Sequence, residues 1–279
     1  MKSVGEVQLN FDSFDVAFYE DYLHFLTYEY VHMRRKPPVV GLKVNTLAKT
    51  IRQLRVFLRN RMRRKIIPPI DLEDFKQSEE LTDAIYLTMD EIRAIYNLDL
   101  SNDTHLATCR DLFVFGCFTG LRFSDYTSIA PNDIRNRTLY KKQMKSDHWV
   151  VIPLRDEAYS IFMRSFMQGI PVLSNAVFNS AIKELGKRAG LYQLIRFSYK
   201  RGNKDIVVNQ PKYAWITSHT CRRSFCTNEF LEGTPVELIM KISGHKSLKN
   251  FYRYIKISPE EAGRKIGEIW MQRGELKAS

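Results

Sequence analysis

"SGHKSLKNFYRYIKIS", residues 243–258, places His245 seven residues before Tyr252 and nine before Tyr254, among lysines and an arginine. Either tyrosine is a candidate nucleophile, and both could equally be ordinary aromatic residues on a basic helix. Two segments further upstream also carry phosphate-binding side chains beside a structural punctuator. "FTGLRFSD", residues 118–125, offers Arg122 just after a glycine, and "SHTCRRSF", residues 218–225, offers His219, Arg222 and Arg223. Guanidinium groups stay charged and present a planar fork of donors, so two of them on one phosphodiester would neutralise its non-bridging oxygens. Taken singly, an arginine before a helix is usually a cap or surface residue, and a lone histidine is usually structural. The order and spacing of the whole set carry the signal.

The charge balance agrees with a polyanionic partner. The 279 residues carry 43 Lys and Arg against 31 Asp and Glu, a formal net charge of +12, and at 44% apolar composition the chain can bury one large or two modest cores. The excess is concentrated: residues 34–65 hold 12 Lys or Arg and no acid. Leu47, Ile51, Leu54, Leu58 and Met62 recur there at helical spacing, which predicts an amphipathic helix and not a disordered tail. Lys49, Arg52, Arg55, Arg59 and Arg63 fall on its other faces and are candidate DNA-binding residues, although such a stripe is also what a merely solvated face looks like. The cysteines, at 109, 117, 221 and 226, are unpaired in sequence and the first residues contain no apolar h-region, so a reduced, cytoplasmic setting is expected. No run approaches the ~18 apolar residues of a membrane span. The six histidines show no metal-ligand spacing, and neither a metal nor a cofactor is expected.

The elements follow from pattern. Phe14, Phe18, Tyr22 and Phe25 make one stripe of a first helix, with Asp12 or Ser13 as its cap; the basic helix follows "RRKPPVVGLKVN", with Asn45 as its cap. Pro68, Pro69 and an acidic stretch suggest an interdomain connection ending near Asp83. Thr88 and Glu91 form a capping box that opens the second domain. "THLATCRDLFVFGCFTGLRF" predicts a buried helix ending at Gly120, "TLYKKQM" and "HWVVIPL" a hairpin around "KSD", and residues 195–216 a second pair of strands turning near Gly202. The fold class is mainly α with small β elements, in two domains.

These boxes resemble those of the tyrosine recombinases, also called the phage integrase family. "FTGLRFSD" is similar to that family's first arginine box, "HTCRRSF" to its histidine–arginine box, and "GHKSLKNFYRY" to the box in which a glycine–histidine pair precedes the nucleophilic tyrosine by nine residues. The resemblance therefore implies Arg122, His219, Arg222, His245 and Tyr254 as catalytic residues, with Asp125 supporting Arg122 and Tyr252 a neighbour. The family also carries a lysine in a hairpin turn between the first two boxes, which points to Lys145, with Lys141 and Lys142 as the alternatives if the register shifts. It implies a SAM-like helical core-binding domain over residues 1–83 and an α+β catalytic domain over residues 84–279. The wording of the boxes, "HTCRRSF" above all, is similar to integrases of Bacteroides-type mobile elements. Those often carry a further N-terminal arm-binding domain, and the expectation here is a protein without it or a piece of a longer one.

What the resemblance implies is metal-independent DNA breaking and rejoining. Tyr254 attacks a scissile phosphate and leaves a 3′-phosphotyrosine and a free 5′-hydroxyl. Arg122 and Arg222 hold the non-bridging oxygens, Lys145 protonates the leaving 5′-oxygen, His219 acts as general acid or base, and His245 donates to a phosphate oxygen. Arg223 is expected on the DNA backbone or in an ion pair, and Cys221 in the core. The implied partner is double-stranded DNA, gripped as a clamp, on which a terminal helix carrying Ile266, Ile269 and Trp270 passes between protomers of a tetramer. A monomer is expected off DNA, and accessory DNA-bending or excision proteins belong to the same picture. Other classes stay open: a type IB topoisomerase-like nicking–closing enzyme, a non-enzymatic DNA-binding regulator on the same fold, and a metal-dependent nuclease.

Overall fold

The computed structural model describes residues 10–33, 38–76, 79–80, 82–202 and 204–274. The chain divides into two compact units, residues 1–83 with 196–209, and residues 84–195 with 210–279. The second hairpin thus clusters mostly with the first unit, although the sequence places it well inside the second.

In the first unit, α1 (Val16–His24) continues into a π-helical turn over Phe25–Glu29, β1 (Val31–His32) pairs antiparallel with β2 (Val39–Val40), and α2 (Val44–Arg63) is the long basic helix. Its core is Tyr19, Ile51, Leu58, Ile67, Leu72 and Phe75, with Phe14, Phe18, Tyr22, Leu54 and Met62 packed around it. Tyr19 stacks on Phe75 with ring centroids 4.8 Å apart. The expected stripe of α1 lies at the edge of this core, while Phe25 at its end is 43% exposed.

Both caps expected in this unit are corrected. Asp15, not Asp12 or Ser13, caps α1 by accepting from Phe18 N at 2.8 Å; residues 11–13 instead form a 3-10 turn capped by Asn10. Lys43 holds the N-cap position of α2 without a side-chain bond. Asn45 is committed elsewhere: its amide donates to Glu80 O at 3.0 Å and accepts from Glu80 N at 2.9 Å, tying down the stretch that leads out of the unit.

The second unit opens with α3 (Met89–Tyr96), where Thr88 and Glu91 form the expected reciprocal capping box. The central α4 (Thr104–Thr119) is buried at every position from Asp111 to Thr119, with Asp111 paired to Arg110 and Arg164, as suits a helix packed on several sides. It ends at Gly120 in the left-handed conformation, φ 64°, where a Cβ would stand 2.4 Å from the Phe225 ring. No other residue type meets both demands. After α5 (Phe123–Tyr126), a three-stranded antiparallel sheet runs β3 (Ile134–Arg135), β4 (Thr138–Lys142) and β5 (Trp149–Pro153), with Leu139 opposite Ile152 on the buried face.

Then come α6 (Asp156–Ile161), a π-helical turn over Phe162–Phe166, and α7 (Asn175–Arg188), capped by Ser174. The ribbon β6 (Leu194–Arg201) and β7 (Lys204–Pro211) turns at Gly202. The chain closes with α8 (Ser218–Leu231), α9 (Val236–Ser243), the short α10 (Leu248–Tyr252) and α11 (Pro259–Gln272). Among the described residues, no helix is long and apolar enough to cross a membrane.

Candidate active site

Arg222 is the pivot of the site. It lies on α8, packed against α4, and is 1% exposed. Its Nη1 donates to Gly120 O at 2.9 Å, the carbonyl at the end of α4, where the helix dipole favours a cation. Its Nη2 stands 3.2 Å from His245 Nε2, its guanidinium carbon lies 5.5 Å from the centre of the Tyr254 ring, and its Nε is buried without a hydrogen-bond partner. Burial first and the nearby Arg122 charge second lower its pKa to about 10, so it remains a cation at neutral pH.

Arg122 occupies the N-cap position of α5, directly after the Gly120 turn. Its Nη1 donates to Gln143 Oε1 at 2.8 Å and stands 4.0 Å from Asp125 Oδ2. Asp125 is fully buried, and its Oδ1 accepts from Met144 N at 2.9 Å. The carboxylate therefore holds the turn that carries Lys145 through Oδ1, while its Oδ2, buried without a hydrogen-bond partner, faces the first arginine. That turn also separates the lysine alternatives. Lys141 is paired with Asp133 at 2.8 Å and Lys142 with Asp147 at 2.7 Å, whereas Lys145 is exposed in the turn and its charge is felt at His219.

His219, in the first turn of α8, is exposed as a residue, yet its pKa lies below the ordinary value. Desolvation is the first cause, followed by the charges of Arg223, Arg222, Lys145 and Arg122. His245 follows Gly244, the left-handed C-cap of α9, and its pKa is pushed down to about 3 by burial, then Arg222, then Arg122. Both imidazoles are neutral near pH 7. The pocket gathers positive charge around itself, which is the electrostatic setting that favours an anion.

Tyr254 lies in the turn just after α10, not on a helix. Phe251, fully buried against Phe225, Cys226 and Ile239, anchors the segment. Tyr254 N donates to Phe251 O at 2.8 Å, and Thr227 on α8 donates to Tyr254 O at 3.2 Å while accepting from Lys256 N at 3.3 Å. This clip holds the Tyr254 ring 4.6 Å from the His245 ring, centroid to centroid. Tyr252 is 51% exposed and meets Phe230 and Phe251 edge-on, on the other side of the segment's anchor. Arg122, Arg222, His245 and Tyr254 thus come together, with His219 and Lys145 close enough to be coupled electrostatically.

Of the other candidates, Lys49, Arg52, Arg59 and Arg63 are exposed on α2 and Arg55 is half-buried. Arg52, Arg55 and Arg59 line one cleft beside Phe75; Arg52 pairs with Glu79, and Arg55 Nε is buried without a hydrogen-bond partner. Arg223 is half-buried, with its pKa lowered by desolvation. Cys221 is fully buried, 3.8 Å from the Tyr126 hydroxyl.

Sequence reasoning missed three polar residues that hold the site together: Gln143, Thr227 and Ser243, all fully buried. Gln143 accepts from Arg122 Nη1 at 2.8 Å and Ser146 Oγ at 2.7 Å, and donates to Ser243 O at 3.3 Å. It joins the first arginine, the lysine turn and the end of α9 through one amide. A signal was present, because Gln143 continues the inward-facing alternation of Leu139 and Lys141, and a polar residue on a buried strand face needs partners.

Residues 86–261 match the model of the Phage integrase family. A curated relative, tyrosine recombinase XerC of Syntrophus aciditrophicus (strain SB), is 25% identical over 223 residues, covering 78% of this chain and 71% of that protein. Among solved structures, the Tn1549 transposon integrase in complex with a circular intermediate DNA aligns with a TM-score of 0.59 at 16% identity, covering 94% of this chain and 87% of that one. A lambda integrase dimer bound to a COC′ core site aligns with a TM-score of 0.56 at 16% identity, covering 75% and 72%. At these identities the solved structures speak for the fold.

Proposed function

The chain belongs to the phage integrase family of site-specific DNA breaking-and-rejoining enzymes, and on that premise we propose that Tyr254 is its nucleophile and that the surrounding cations serve one scissile phosphate. The carrying observation is the position of the Tyr254 ring, 5.5 Å from the buried Arg222 guanidinium and 4.6 Å from the His245 ring, while Tyr252 points to solvent and Phe230.

In the reaction, the Tyr254 hydroxyl oxygen forms a bond to phosphorus as the bond to the 5′-oxygen breaks. The phenolic proton passes to neutral His219, and Lys145 gives a proton to the departing 5′-oxygen. Arg122 and Arg222 neutralise the non-bridging oxygens as charge builds, a role suited to guanidiniums held in place before substrate arrives. The energy of the phosphodiester is kept in the 3′-phosphotyrosine, so a second 5′-hydroxyl can reverse the step on a new strand.

Double-stranded DNA is the substrate in this reading. Lys49, Arg52, Arg55, Arg59, Arg63 and Arg223 contact its backbone, and residues 1–83 act as the core-binding domain beside a catalytic domain over residues 84–279. Helix α11 buries none of its residues, and Ile266, Trp270 and Met271 are 46%, 45% and 50% exposed. That half-exposed apolar face supports exchange of α11 between protomers of a tetramer on DNA.

The experiment is strand exchange. DNA captured covalently by the protein is cloned as two sites on one supercoiled plasmid and incubated with the protein in a chelator. Recombinant circles support the recombinase reading. Relaxed plasmid without exchange would favour a topoisomerase-like enzyme, and unaltered plasmid despite tight binding would favour a regulator.

A further inference from the structure

We infer that Arg223 does more than contact the DNA backbone: it is a further cation of the active site, turned toward Tyr254, where its charge offsets the negative charge that grows on the phenolic oxygen as the proton leaves. The functional half rests on the recombinase reading; the structural half rests on how α8 presents its side chains.

Residues four apart on a helix lie about 40° apart around its axis, so His219, Arg223 and Thr227 form one stripe along α8. Thr227 fixes what that stripe faces, because its Oγ1 donates to Tyr254 O at 3.2 Å and accepts from Lys256 N at 3.3 Å. Other faces of α8 are occupied. Ser224 Oγ accepts from Leu87 N at 2.9 Å, Asn228 Nδ2 donates to Leu87 O at 3.0 Å, and Cys221 lies 3.8 Å from the Tyr126 hydroxyl. Arg222, about 100° round the helix from Arg223, brings its guanidinium carbon to 5.5 Å from the centre of the Tyr254 ring. The Tyr254 segment therefore lies against the sector of α8 that Arg222, Arg223 and Thr227 share.

Arg223 is half-buried, and among the described residues no carboxylate forms an ion pair with it. The charges that reach it are those Tyr254 and Cys221 carry when ionised. Its own charge is the largest electrostatic influence on His219, ahead of Arg222, Lys145 and Arg122. A guanidinium partly out of water without an anion is costly, and an anion forming beside it relieves that cost. In the reaction the anion is the Tyr254 oxygen, in the interval after its proton passes to His219 and before its bond to phosphorus is complete. Arg223 keeps all its own protons throughout. The same charge, with those of Arg222, Lys145 and Arg122, keeps His219 unprotonated until the phenolic proton arrives.

The test has two readouts. In the full chain without DNA, the His219 ring is titrated by NMR, its signal assigned by its absence from His219→Asn. Arg223→Gln should raise the titration midpoint toward the ordinary histidine value, and Arg223→Lys, which keeps the charge, should leave it low. An unmoved midpoint in Arg223→Gln overturns the structural half, because a guanidinium reaching away to the DNA backbone would not be felt at His219. On saturating DNA, single-turnover formation of the covalent complex should be roughly ten-fold slower in Arg223→Gln, short of the about 10²–10³-fold cost of losing a direct donor, and largely restored in Arg223→Lys. Weaker binding with an unchanged rate at saturation is the signature of a backbone contact alone and overturns the functional half. The NMR readout needs no DNA and decides the structural half whether or not the recombinase reading holds; that reading is decided by adduct formation in the unaltered protein, whose absence would remove the functional half with it.

Discussion

Replacing Gln143 with Ala removes a single buried amide and with it three side-chain hydrogen bonds: from Arg122 at 2.8 Å, from Ser146 at 2.7 Å and to Ser243 O at 3.3 Å. A hydrogen bond to a charged group contributes about 1.5–3 kcal/mol and a neutral one about 0.5–1.5 kcal/mol. Bonds sharing one side chain do not add in full. A loss of roughly 3 kcal/mol of unfolding free energy is expected, read as a lower urea midpoint at unchanged slope. The effect on chemistry is larger in proportion, because Arg122 loses the acceptor that aims it, and removal of one preorganised donor typically slows a reaction by about 10²–10³-fold. Single-turnover formation of the covalent protein–DNA complex measures this. Gln143→Glu keeps an acceptor for Arg122 and Ser146 but sets a carboxylate against Ser243 O, so it should fall between the two. A Gln143→Ala protein with the original urea midpoint and the original rate of complex formation would refute the reasoning.

Replacing Arg55 and Arg59 with Ala should weaken binding to all DNA sequences alike and lower the slope of log K against log salt by about one for each phosphate no longer neutralised, with cleavage of bound DNA unchanged; titrations at several salt concentrations check this. Acidification should destabilise the fold through His245. The unfolded ring takes up a proton near its ordinary value of about 6.5, the folded ring only near about 3, so between those values the unfolded chain binds more protons and stability falls as pH is lowered. Urea unfolding at successive pH values should show a shallower fall for His245→Gln. Polar replacement of Ile266 and Trp270 should leave folding intact, since neither is buried, but reduce multimeric complexes on DNA, as sedimentation would report.

Short-range features were legible in the sequence. The Thr88–Glu91 box, the Gly120 turn and the hairpin around Lys145 each depend on residues a few positions apart, and each forms as the pattern indicates. Caps failed where a distant segment competed: Asn45 has the right chemistry for an N-cap, but the chain at Glu80 offers it two backbone partners. The third strand, Ile134–Arg135, is only two residues long, too short for alternation to register. At the site, spacing named the residues with recognisable chemistry and not those that aim them. Gln143 reaches Ser243 across 100 positions, and Thr227 holds the Tyr254 carbonyl across 27. Such bonds exist only once the helices and the hairpin have packed, so no local pattern announces them. The separation of Tyr254 from Tyr252 likewise depends on the Phe251 anchor and the turn after α10, which helical periodicity alone would not supply.

The most direct measurement is the chemical identity of the protein–DNA linkage. The protein is incubated with fragmented genomic DNA in a chelator and stopped with detergent, and the attached peptide is identified by mass spectrometry. The account predicts a phosphodiester link on Tyr254, lost in Tyr254→Phe and retained in Tyr252→Phe. A link on Tyr252, or an adduct that persists in Tyr254→Phe, would contradict it.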